Sequence, residues 1–145
     1  MWLYSIVTYL HFISIFIMFS SLIVEMSIIK GTMNWKSILI LRKADLFYII
    51  FSGLTICTGL LRMYNYGKGE DYYLSNSLFI LKFSLFILVG LLSIYPSVSF
   101  FRIKKSKNGL VKIKHFISIK TMILIEMILL LFIPLLGVLV AKGIS

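Results

Sequence analysis

Four apolar runs dominate the chain, at residues 2–29, 45–64, 77–101 and 116–141. A helix needs roughly 20 mostly apolar residues to cross the hydrocarbon of a bilayer, and each run is long enough. Polar links separate them at residues 30–44, 65–76 and 102–115. Links this short favour antiparallel neighbours. The pattern predicts an all-α integral membrane four-helix bundle, up-down-up-down, in a single domain of residues 1–145. The first run has no basic stretch before it and no small-residue cleavage site after it. It therefore reads as a span and not as a signal peptide.

Polar residues inside the runs recur at helical spacing. In the second run Asp45, Tyr48, Ser52, Thr55, Gly59 and Arg62 step by three and four, so they share one face. Tyr4, Thr8, His11, Ser14, Met18, Ser21 and Glu25 do the same in the first run. Lys82, Phe86, Gly90, Ser93 and Ser97 form the stripe of the third. In the fourth, past Thr121, only Glu126, Pro134 and Gly137 break the apolar surface before Ala141. Hydrocarbon cannot satisfy such stripes, so they turn inward, where small residues also let helices approach closely.

Composition narrows the class. Hydrophobic residues make up 60% of the 145, the mean hydropathy is +1.02 and only 14% are charged. A soluble domain is about 45–50% apolar, and one of this size has no interior that could hide the excess. The net charge of +10 would suit nucleic acid, but the cations fall between apolar runs and form no basic domain. They mark cytoplasmic loops instead. The first link carries Lys30, Lys36, Arg42 and Lys43, and the third carries Arg102, Lys104, Lys105, Lys107, Lys112 and Lys114. The second has only Lys68, opposed by Glu70 and Asp71. Links one and three are therefore expected in the cytoplasm, with both termini on the other side of a bacterial inner membrane. Trp2, Tyr4, Tyr64, Tyr66, Tyr72 and Tyr73 then fall near the outer boundary, where amphipathic rings prefer to sit.

Depth polarises the polar residues. At 1.5 Å per residue, His11 lies ~13 Å below the outer surface, Lys82 ~8 Å and Arg62 ~3 Å. Glu126 lies ~22 Å deep, and Asp45 and Glu25 approach the cytoplasmic face. The outer half thus collects a histidine and two cations, and the inner half three acids.

Each has a structural and a functional reading. Lys82 can snorkel to the headgroups or to Glu70 and Asp71, or face inward with Arg62 as a cationic mouth for a carboxylate or propionate. His11 can hydrogen-bond a neighbouring helix, or serve as an axial ligand to haem iron or another metal. His115, the other histidine, lies ~20 Å or more away in depth, so one subunit offers no bis-histidine site. A single-histidine site, a histidine–methionine site using Met18, or a site shared across a homo-oligomer such as a dimer remains. Asp45 reads as a residue that opens a helix and caps its free N–H groups. Glu25 reads as a boundary acid that pairs with Arg42 or Lys43. Glu126 must be protonated, paired or beside water, and proton transfer is one role for it.

The segments YLHFISIFIMFSSLIVE, KADLFYIIFSGLTICTGLLR and FILKFSLFILVGLLSIYPS resemble a small bacterial membrane family, domain of unknown function 2214. The likeness runs over nearly the whole chain and includes His11, Glu25, Asp45, Gly59, Arg62, Lys82, Tyr95 and Pro96. More distantly, the layout is similar to HemJ-type protoporphyrinogen oxidases and CopD-like copper-resistance membrane domains. HemJ-type proteins pair a first-helix histidine with an arginine ending the second helix and a lysine in the third. His11, Arg62 and Lys82 occupy comparable places. That resemblance implies a haem or porphyrin site in which the cations meet propionates. Three functions stay open at this point: a haem- or porphyrin-binding protein, a small ion or proton transporter, and a structural subunit that binds another membrane protein.

Overall fold

The computed structural model of the protein describes residues 2–66 and 68–144, the Tyr66 side chain excepted. Among these, four helices are long and apolar enough to cross a membrane. They are α1 (Trp2–Ile28), α2 (Trp35–Leu61), α4 (Ser77–Arg102) and α5 (Phe116–Ala141). A π-helical turn (Arg62–Tyr66) extends α2, and a short α3 (Glu70–Leu74) follows it. Helix α1 packs against α2 and α5, and α4 packs against α5 and α2, which closes a ring of four. Outward faces carry large apolar side chains such as Phe16, Leu91 and Leu131, all more than 60% exposed, and these meet the lipid bilayer.

Two differences from the sequence pattern matter for the site. Helix α2 begins at Trp35, not at 45, so Lys36, Arg42 and Lys43 of the first link are helical. Asn34 is its cap: the side-chain oxygen accepts the Ser37 N–H at 2.8 Å. Asp45 therefore opens no helix. It sits well inside α2, 2% exposed, where every backbone N–H already has an intrahelical partner. The links are also ordered. Strand β1 (Thr32–Asn34) pairs antiparallel with β2 (Leu110–Lys112), with Met33 opposite Val111. The first and third links thus meet at one end of the bundle, here called the clasp end.

Arg42 strengthens that end. Its Nε donates to the Phe100 carbonyl at 2.9 Å and its Nη2 to the carbonyls of Phe101, at 3.1 Å, and Ile103. The carbonyls closing a helix have no partner of their own, and a planar cation suits several at once. The guanidinium also lies 5.3 Å from the centre of the Trp35 ring. Sequence alone offered Arg42 as a partner for Glu25; the open carbonyls of α4 take it instead.

The second link packs on the far end of α5. Tyr72 donates its hydroxyl to the Val140 carbonyl at 2.9 Å, Lys68 reaches the Ala141 carbonyl at 3.3 Å, and Asn76 Nδ2 donates to Ile144 at 2.9 Å. Asn76 also caps α4, its Oδ1 accepting from Phe79 N at 3.0 Å. This end is the cavity end.

Candidate functional site

At the cavity end the four helices part around a space of about 420 Å³. His11 from α1, Arg62 from the π turn and Lys82 from α4 all line it. The walls between them are apolar and aromatic, with Phe79, Phe86, Leu130, Ile133 and Pro134 among them. Met18 lines it too, while His115 sits at the clasp end as the residue preceding α5.

His11 is 5% exposed, and its Nδ1 lies 2.9 Å from the Thr58 hydroxyl. That hydroxyl donates to the Leu54 carbonyl one turn back, at 2.7 Å. A hydroxyl has one proton, so toward the imidazole Thr58 can only accept. With the Thr58 proton on the Leu54 carbonyl, the matching His11 tautomer carries its proton on Nδ1 and its lone pair on Nε2. Gly59 gives the ring its room: a Cβ there would come 3.4 Å from His11 Cε1.

Lys82 turns into the bundle. A Cβ on Gly137 of α5 would stand 3.3 Å from its Nζ, so the ammonium rests on the bare backbone of a facing helix. Glu70 and Asp71, the acids within snorkelling range in sequence, are exposed at the start of α3. Arg62 lays its guanidinium 5.9 Å from the centre of the Phe12 ring, and its Nε is buried without a hydrogen-bond partner. Arg62 and Lys82 are close enough to interact with each other and with His11 electrostatically. Among the described residues no carboxylate sits against Lys82, whose charged neighbour is Arg62. The cavity therefore carries two positive charges in an apolar setting, an arrangement that favours a bound anion.

The acids meet elsewhere. Glu25 of α1, Asp45 of α2 and Glu126 of α5 are each 1–2% exposed. Glu25 lies within electrostatic reach of both others. Ser97 of α4 donates to Asp45 Oδ1 at 2.6 Å, and the Tyr48 hydroxyl stands near Glu126 and Ser93. One oxygen of each carboxyl, namely Glu25 Oε1, Asp45 Oδ2 and Glu126 Oε1, is buried with no hydrogen-bond partner. Among the described residues no three His, Cys, Asp or Glu side chains are grouped to hold a metal ion.

The structure thus brings together the two sets that depth separated, one at each end. Sequence reasoning missed Thr58, because it stands just off the stripe that carries Thr55 and Gly59. The readable signal was Thr55 and Thr58 three apart, a hydroxyl pair on one edge of the helix facing His11.

Four long apolar helices around a polar interior define a multi-pass membrane protein. The chain belongs to the family described as Predicted membrane protein (DUF2214), whose model matches residues 3–145. The chain matches no curated protein and no solved structure.

Proposed function

We propose that this protein is a multi-pass protein of the bacterial inner membrane that binds a tetrapyrrole, haem or a porphyrin, in the cavity. The reading rests on one observation: His11, Arg62 and Lys82, from three separate elements, line the same apolar space. The volume of about 420 Å³ lies within the range of small-molecule sites. The donor set fits the group. Apolar walls suit the ring, the two unpaired cations suit two propionates, and the lone pair of His11 Nε2 suits an iron. Haem, when bound, would supply one-electron chemistry. The chain's own part is to hold the acid groups through Arg62 and Lys82, orient the imidazole through Thr58, and exclude water with the aromatic walls.

The bundle is read as up-down-up-down, with both termini outside the cytoplasm. The pairing of β1 with β2 supports this, because it sets both strongly basic links at one end. An open ion path along the polar stripes has less support. Ile38, Leu41 and Phe100, all 0% exposed, fill the bundle toward the clasp end.

The test is an absorption spectrum, oxidised and reduced, of protein purified in mild detergent from haem-sufficient cells. A Soret band at near-stoichiometric occupancy is expected, lost in His11→Ala and weakened in Lys82→Ala. A protein that is colourless and stays so after haem is added would overturn the reading.

A further inference from the structure

The acids at the clasp end take no part in the cavity, and their arrangement has a chemistry of its own. Three carboxyls from three helices lie within electrostatic reach of one another, and each keeps a buried oxygen without a partner among the described residues. The cations nearby in sequence are engaged or turned away. Arg42 holds the end of α4, Lys43 is exposed on a groove facing lipid, and Lys120 is exposed beside the Phe116 ring. From α4 only the hydroxyls of Ser93 and Ser97 face the group. Three negative charges cannot share such a space uncompensated, since removing even one from water costs several kcal/mol beyond what a hydroxyl returns. The balance must come from a cation or from protons. The side chains form no metal-binding group among the described residues, and a proton needs none.

Surrounding side chains keep this compartment separate from the clasp-end surface. Toward the links buried apolar side chains face inward: Ile29 just past α1, Ile38 on α2, Phe100 on α4 and Ile119 on α5 are at most 3% exposed. Toward the cavity the stripes stay polar, through Ser21 and Ser14 on α1 and Thr55 on α2.

We propose that Glu25, Asp45 and Glu126, with the Tyr48 hydroxyl among them, form a buried proton-exchange site whose carboxyls hold at least one proton in common and trade it with water. The step is a proton transfer alone. A carboxyl O–H breaks, water or hydroxide takes the proton, and the carboxylate keeps the electron pair. Because the three groups interact, the site titrates as a unit.

Infrared difference spectra of the purified protein between about pH 5 and about pH 10 test this, since ordinary carboxyls are fully ionised above about pH 6. A protonated-carboxyl C=O band that persists above that point, moves on ¹³C-glutamate labelling and then fades is expected. Glu126→Gln and Glu25→Gln should each shift the midpoint of the band that remains. The wild-type labelling keeps the test valid if either variant fails to fold. Carboxyls that are wholly ionised above about pH 6 would overturn the proposal, as would a band insensitive to both ¹³C-glutamate and ¹³C-aspartate labelling. The outcome does not depend on whether the cavity binds a tetrapyrrole.

Discussion

Arg62 and Lys82 stand around an open space at one end of the bundle, while Glu25, Asp45 and Glu126 close on one another at the other. Both sets are charged, inward-facing and drawn from several helices. They differ in what surrounds them. The cations border a cavity of about 420 Å³, so an anion can come to them. The acids are packed among side chains, so only something as small as a proton can. Surplus charge inside a membrane protein thus has two outlets, a ligand where there is room and protonation where there is none.

Substitutions can break this contrast, and the largest effect is expected from Lys82→Glu. It turns the cavity's charge toward neutral and sets a carboxylate beside the site of an incoming anion. Haem titration followed by absorbance should show binding lost altogether, with the helical circular dichroism unchanged. Next is Thr58→Val, which keeps the shape and removes the acceptor for His11 Nδ1–H. An unpaired buried donor costs about 1–3 kcal/mol, so the thermal midpoint should fall, and Thr58→Ser should restore it. At the acid end Ser97→Ala removes the donor to Asp45 Oδ1. A loss of about 1 kcal/mol is expected there, read as a lower thermal midpoint with haem binding unaffected. Gly137→Ala should do least. Its methyl group would press on Lys82 Nζ, whose flexible stem can yield, so stability should hold while haem affinity falls a few-fold.

Much of this was legible in the sequence, and for physical reasons. Hydrocarbon thickness sets the length of the runs, and helical spacing sets the stripes, so four spans with inward polar stripes followed directly, while Lys82 stayed open between snorkelling and facing inward. The start of α2 did not. A hydropathy run stops at Arg42 and Lys43, but a helix goes on where its N–H groups find partners, and the signal was Asn34 three residues before Ser37. Asp45 was misplaced for the same reason. Arg42 reads as one more cytoplasmic cation until α4 ends beside it. Thr58 reads as helix filler until His11 is seen to need an acceptor. Contacts between distant segments leave no local trace, and the pairing of β1 with β2 is one of these.

That strand pair bears on how the protein is assembled. Thr32 and Lys112 lie on either side of α2, α3 and α4, so the strands can meet only once these elements are in place. Each helical hairpin, α1 with α2 and α4 with α5, can form in the membrane from neighbouring sequence. The clasp cannot. It pairs the turn of one hairpin with the turn of the other, and so ties the two halves of the bundle together at that end.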